Sequence, residues 1–446
     1  MKALEALFNP RSIAVFGAAH TEAKLGGTVM KNLLPMSRKA SIFPINPKYG
    51  SIMGIKSLRS AAELPGRVDL AILMRPAPEV PGILRELANR ASFAIIVSAG
   101  FAEAGEAGLQ EEVKKAASQG GIRVVGPNCM GIFNTCSGLD TLILPPERLR
   151  RPACGNVAVT TQSGAVMSSV FESMVEGGIG TSITAHYGNA ADIDESDVYE
   201  YLADDDQTSA VISYIESVRD GRRFLEKASA LSLKKPLLVL KAGKGRAGQA
   251  AAFSHTGRLA GRYEVFRSVM RQFGLREAAT FEELIDGAKA LSYQRPKKGR
   301  SVFIITNGGG AGVLASDESA RQGLQVNALP KDKLKKLKAL FPPFYAIGNP
   351  LDLTAQVRDE DYQTVLNEIK DGYDGFVIIA LSAVTGITEK LGGILSGFIK
   401  DAGKPAVFHT GRDAVGKQLA LMAETAGIPC YPTPERCVRA LGKLLE

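Results

Sequence analysis

Short apolar runs rich in Val, Ile and Phe recur along the chain and alternate with helical stretches. The first set is SIAVFG (12–17), SIFPIN (41–46), VDLAILM (68–74), FAIIVSAG (93–100) and IRVVGPN (122–128). NVAVTTQSG (156–164), SAVISYIES (209–217) and PLLVLKAG (236–243) form a second set. SVFIITNGGG (301–310), GFVIIALS (375–382) and PAVFHTG (405–411) form a third. Such alternation is the mark of parallel sheets covered by helices. It predicts an α/β protein of three Rossmann-like or flavodoxin-like domains with mainly parallel sheets. Their expected spans are 1–150, 151–294 and 300–446, with the polar RPKKGR stretch (295–300) as linker.

Each group contains a strand that ends in a small-residue loop and opens a helix: FGAAHTEAKLGG, TTQSGAVMSSVFES and TNGGGAGVLASDESA. Such a loop leaves backbone N–H groups unpaired along the helix dipole, which attracts phosphate or carboxylate. It is equally the tight turn that any parallel sheet requires. The first loop, Gly17-Ala18-Ala19-His20, does not supply GxGxxG, which argues against NAD or FAD. Gln162, Ser163 and Gly164 stand at one helix mouth, and Asn307, Gly308, Gly309 and Gly310 at another still richer in glycine. Neither is GxxxxGK[ST], so each suits a single phosphoryl group or inorganic phosphate rather than a complete nucleotide.

Composition narrows the class of partner. The 446 residues are 45% hydrophobic and 22% charged, as in a soluble globular protein of about three domains. No apolar run is long enough to span a bilayer, and the N-terminus lacks the pattern of a signal peptide; no membrane association and a cytoplasmic location are expected. Cys129, Cys136, Cys154, Cys430 and Cys437 show no CxxC spacing, which suggests reduced thiols rather than a zinc site or disulfide framework. The net charge of +8 is spread along the chain, densest in KDKLKKLK (331–338) and RPKKGR. There is no tryptophan and no aromatic–basic platform for stacking bases, so nucleic acid is the weakest option. A polyanionic small ligand such as a nucleotide or CoA accounts equally well for a positive cleft.

Four histidines are present, and HxxxH and HExxH are absent, so no metal site is expected. His255 lies in AAAFSHTGRLAG (250–261), preceded by KAGKGRAGQAAA (241–252). That composition reads as a mobile loop carrying a reactive side chain. A neutral imidazole attacks phosphorus well and passes the group on. Its other nitrogen needs a partner to fix the tautomer. Glu216 ends the strand SAVISYIES at the carboxyl edge of the same expected domain, where sites in parallel sheets lie. The plainer alternative is that His255 caps a helix and Glu216 is an ordinary strand-end carboxylate. His20 lies in a ligand-type loop without an evident carboxylate; His186 and His409 read as hydrogen-bonded structural residues.

AVFGA near the N-terminus, INPKYG (45–50), VSAGF (97–101), VGPNCMGIFN (125–134), VTTQSGAV (159–166), YIES (214–217), KAGKG (241–245) and SHTGRLAG (254–261) occur in this order. Together they closely resemble the ADP-forming acetyl-CoA synthetase (acetate–CoA ligase) family, a relative of succinyl-CoA synthetase, over essentially the whole chain. The resemblance implies an α subunit: a CoA-binding domain and two ligase domains, paired with an ATP-grasp β subunit in an α2β2 assembly. ATP or ADP and magnesium would lie on that β subunit. It implies His255 as the phosphorylated residue, Glu216 as the carboxylate that steadies it, and Gln162, Ser163 and Gly164 around the phosphoryl group. The Asn307–Gly310 loop would contribute to phosphate binding. For CoA or acetyl-CoA, Gly17, Ala18, Asn46, Pro47 and Lys48 would surround the nucleotide end. Ser98, Ala99, Gly100, Pro127 and Asn128 would line the pantetheine path. The implied reaction interconverts acyl-CoA, ADP and phosphate with carboxylic acid, CoA and ATP. Alternatives are a non-catalytic CoA-binding regulatory protein, which needs only residues 1–150, and a fused protein acyltransferase, which needs a further domain.

Overall fold

The apolar runs form strands whose residues are buried on both faces, as expected where helices cover a parallel sheet. The computed structural model describes residues 4–250 and 262–445, which divide into two compact units, Met1–Ala279 and Thr280–Glu446.

The first unit holds two large sheets. One is five-stranded and all parallel: β1 (Ser12–Phe16), β2 (Ser41–Ile45), β5 (Val68–Leu73), β6 (Ala91–Ile96) and β7 (Arg123–Val125), in the order β2-β1-β5-β6-β7. A small antiparallel pair, β3 (Ser51–Ile52) and β4 (Ile55–Lys56), follows β2. The other large sheet comprises β8 (Gly131–Asn134), β9 (Leu139–Asp140), β10 (Cys154–Thr161), β11 (Thr181–His186), β12 (Ala210–Ile215), β13 (Leu237–Lys241) and β14 (Arg276–Ala278). Its order is β14-β13-β12-β10-β11-β8-β9, with β8 antiparallel to β11 and β9 antiparallel in turn to β8. One hydrophobic core runs through both sheets, from Ile13 and Val15 to Ile183, Val211 and Val239.

Charge pairing ties the two sheets together. From β7, Arg123 bonds Asp192 at 2.9 Å and Asp197 at 3.1 Å, while Arg223 reaches Asp194 at 2.9 Å and Asp197 at 2.7 Å. Burial and the neighbouring Asp197 charge raise the Asp194 pKa, against the pull of the arginines.

The second unit carries β15 (Val302–Thr306), β16 (Leu351–Asp352), β17 (Gly375–Ala380) and β18 (Ala406–Thr410), parallel and in the order β16-β15-β17-β18. Compactness divides the chain between Ala279 and Thr280, ahead of the RPKKGR stretch. Residues 131–140 join the second sheet because β8 hydrogen-bonds along β11. The helix Phe281–Tyr293 belongs to the second unit, where Asp286 accepts two hydrogen bonds from Arg436, at 2.8 and 2.6 Å. The RPKKGR stretch is no free linker there: the Lys297 amide bonds Leu444 O at 2.8 Å.

Candidate active site

Strand order reverses between β1 and β5 in the first sheet, between β10 and β12 in the second, and between β15 and β17 in the third. Loops leaving adjacent strands in opposite directions open a crevice at their carboxyl ends. Most residues singled out from the sequence lie at these three places.

At the β1/β5 crevice, Gly17 has φ +83°, and a Cβ there would lie 2.5 Å from Met74 O. Gly26, at the start of the helix Leu25–Leu33, is packed so closely that a Cβ would come 2.0 Å from Gly17 O. These two glycines press the helix N-terminus onto the strand end and leave a hollow of about 680 Å³. Asn46, Pro47, Lys48, Lys24, Arg59 and Arg75 are among its walls. The Asn46 side chain donates to Ala18 O at 2.8 Å and accepts from the Lys48 amide at 3.0 Å, which shapes the loop after β2. Arg75 is paired with Glu79 at 2.7 Å, so Lys24, Lys48 and Arg59 carry the excess positive charge.

A second cavity, of about 480 Å³, shares Leu25, Met74 and Arg75 with the first. Ser98, Ala99 and Asn128 line it on one side and Gln162, Gly164 and His186 on another. Met130 and Ile143 supply apolar wall. Asn128, at φ +57°, donates its amide to Ser98 O at 2.9 Å, bringing the loops after β6 and β7 together. Gly100, at φ +103°, turns its amide onto Glu103 at 2.6 Å, and Pro127 follows Gly126 through a cis peptide. Cys129 lies beside the cavity, but burial pushes its thiol up to about 12, so it stays protonated and unreactive.

The helix Gly164–Glu176 points its N-terminus into this cavity. Ser163 caps it, accepting from the Val166 amide at 3.4 Å. A Cβ on Gly164 would meet Met130 Sδ at 2.4 Å, so glycine allows the wall and the helix mouth to touch. Gln162 uses its amide within the protein: Nε2 donates to Ser217 O at 2.8 Å, while Oε1 accepts from the Glu216 and Ser217 amides at 2.6 and 2.9 Å. This joins the carboxyl ends of β10 and β12. Glu216 is buried and accepts from Tyr214 OH at 3.3 Å.

Two residues absent from the expected set complete the site. His186, at the end of β11, accepts from the Met130 amide on Nδ1 at 2.7 Å. Its proton is therefore on Nε2, 3.2 Å from Gln162 O, and the ring bridges the loop after β7 to the loop after β10. Lys241, at the end of β13, donates to Glu216 O at 2.7 Å and Ala242 O at 2.5 Å. Burial lowers its pKa to about 8, partly opposed by the Glu216 carboxylate. Their sequence signal was position: each polar residue closes an apolar strand run at the carboxyl edge.

His255 lies outside the described residues. Asn307, Gly308, Gly309 and Gly310 belong to the second unit and repeat the plan of the first helix mouth. Asn307 donates to Leu381 O at 3.1 Å and accepts from the Leu381 amide at 2.7 Å, joining β15 to β17 as Gln162 joins β10 to β12. Thr306 closes that turn onto Gly308 just as Thr161 closes onto Ser163, at 3.0–3.1 Å in both. Gly310 is exposed, with open space where a Cβ would stand.

The first unit thus combines a dinucleotide-type α/β fold, without its glycine fingerprint, with two neighbouring cavities beside a helix mouth, and the family matches give the chain's class as a CoA-binding domain followed by CoA-ligase domains. Residues 11–135 match the family described as CoA binding domain, 154–291 the succinyl-CoA ligase like flavodoxin domain, and 302–383 the Ligase-CoA domain. The chain is 37% identical, over 99% of its length and 97% of the relative's, to acetate–CoA ligase [ADP-forming] II subunit alpha of Pyrococcus furiosus. It is also 37% identical to acetate–CoA ligase [ADP-forming] I of Archaeoglobus fulgidus, covering 63% of that longer protein. The dinucleotide-forming acetyl-coenzyme A synthetase 1 of Ca. Korarchaeum cryptofilum, solved with phosphate and ADP, superposes with TM-score 0.91 at 32% identity, over 100% of this chain and 96% of that one. The chain belongs to the ADP-forming acetate–CoA ligase family.

Proposed function

We propose that the chain is the α subunit of an ADP-forming acyl-CoA ligase that works through an acyl phosphate and a phosphohistidine. The adjacency of the two cavities in the first unit, which share Leu25, Met74 and Arg75, carries this reading. The larger hollow suits the nucleotide end of CoA, with Lys24, Lys48 and Arg59 facing its phosphates. The smaller leads the pantetheine arm past Ser98 and Asn128 to the mouth of the helix that Ser163 caps. The domain roles run in the order CoA binding (1–150), histidine-bearing ligase (151–294) and second ligase (300–446).

In the thioester-cleaving direction, an oxygen of inorganic phosphate attacks the carbonyl carbon of acyl-CoA. The C–S bond breaks, CoA leaves as its thiol, and acyl phosphate remains. The Gly164 backbone amide and the Ser163 hydroxyl offset the charge on the phosphoryl oxygens, the Ser163 amide being turned onto Thr161 Oγ1 at 3.1 Å. A nitrogen of His255 then attacks phosphorus, and the carboxylate departs. Glu216 steadies the imidazole. Gln162 and Lys241 hold the backbone on which Glu216 stands, through the hydrogen bonds described above. The phosphoryl group finally passes to ADP on an ATP-grasp partner, which would hold the nucleotide and Mg²⁺. The amide-rich mouth at Asn307–Gly310 is a second phosphate-binding element. An α2β2 assembly is the proposed form.

A purely CoA-binding regulator needs none of the second or third parts, yet the family matches extend through both ligase domains. The test is incubation of the chain with acetyl-CoA and labelled phosphate. Acid-labile, base-stable label on the protein, lost in His255→Ala, is expected. Label that persists in that variant would overturn the reading.

A further inference from the structure

Cys136 and Cys154 are 18 positions apart, and their Sγ atoms meet at 3.2 Å. Cys136 sits half-buried in the turn between β8 and β9, while Cys154 opens β10 and is exposed. No other pair of cysteine sulfurs among the described residues is in hydrogen-bond contact. A disulfide is about 2.05 Å long, so the two sulfurs need approach by only about 1.2 Å.

We propose that Cys136 and Cys154 form a modification site that closes to a disulfide on meeting a low-molecular-weight disulfide. The Cys154 thiolate attacks one sulfur of that oxidant, forming a mixed disulfide and expelling one small thiolate. The Cys136 thiolate then attacks Cys154 Sγ; the Cys136–Cys154 bond forms and the second small thiolate leaves. Two protein sulfurs are oxidised, two small sulfurs are reduced, and the two thiol protons pass to the leaving thiols. Burial, reinforced by the adjacent Cys154, pushes the Cys136 thiol up, so exposed Cys154 takes the first attack.

The bond would close a loop already ordered by a largely buried ion pair, Arg151–Asp140 at 2.8 Å. The same loop supplies Ile143 to the cavity wall, and its Leu142 O accepts from Asn32 at 2.8 Å. Closure would staple this wall segment to the start of β10, at the opposite end of that strand from the helix mouth. A covalent tie across such a loop restricts the unfolded chain and raises the melting temperature.

The test treats the full-length, folded protein with oxidised glutathione, then counts thiols after denaturation and maps linked peptides by mass spectrometry. Five free thiols should fall to three, with a Cys136–Cys154 peptide. The melting temperature should rise by roughly 5 °C, as expected for a loop of this size. Dithiothreitol should reverse both changes. Cys154→Ser, at an exposed position, should retain the fold and show neither. Five thiols remaining, a lasting glutathione adduct on Cys154, or a cross-link between chains would each overturn the proposal.

Discussion

At Gly26 a methyl group decides whether the hollow at the β1/β5 crevice forms. A Cβ there would press within 2.0 Å of the Gly17 carbonyl, which belongs to the backbone and cannot swing away. Gly26→Ala should therefore cost about 1–3 kcal/mol and weaken CoA binding, read by thermal melting and calorimetric titration. Gly164→Ala meets only the flexible end of Met130, so it should leave stability nearly unchanged while narrowing the second cavity. Its effect should appear in KM for CoA. Lys241 makes a different prediction, from pH. Its folded pKa, about 8, lies below the ordinary 10.5. Between these values the unfolded chain binds more protons, so this residue makes stability rise with pH from about 8 to about 10.5. Below pH 8 both states are protonated and the cost of the buried ammonium is present in full. Lys241→Met should flatten that rise by on the order of 1–3 kcal/mol, measured as denaturant midpoints across the range.

Among elements, the joins between strand ends matter more than the strands. The amide of Gln162 satisfies two backbone N–H groups and one carbonyl at the end of β12. Gln162→Ala leaves these buried groups unpaired, and should cost about 1–3 kcal/mol with a large loss of histidine phosphorylation. Asn307→Ala is the matching experiment in the second unit. The strand pattern was readable from the chain because β-branched, doubly buried runs announce themselves. The place of residues 131–140 was not: GIFN reads as one more apolar run, and only its pairing with Ile183–His186 shows which sheet takes it. Likewise the helix Phe281–Tyr293 follows the second group in sequence but is held by the C-terminal helix through Arg436.

For the whole molecule, the proposed chemistry requires a second chain. The phosphorylated α chain should keep its label when mixed with ADP and Mg²⁺ alone, and form labelled ATP once an ATP-grasp partner is added. Label passing to ADP without that partner would remove the division of labour. No helix among the described residues is long and apolar enough to cross a membrane.

The order of apolar runs and glycine loops determined the α/β class, three helix mouths and the CoA-ligase resemblance, because these depend on local spacing and residue type. The motifs also singled out Gly17, Gln162, Ser163 and Glu216. Tertiary structure alone decided that two cavities share Leu25 and Met74, that His186 bridges Met130 to Gln162, and that Lys241 lies beneath Glu216. Those relations join residues from different strands, and strand order is set by packing between faces, which no run of neighbouring residues encodes.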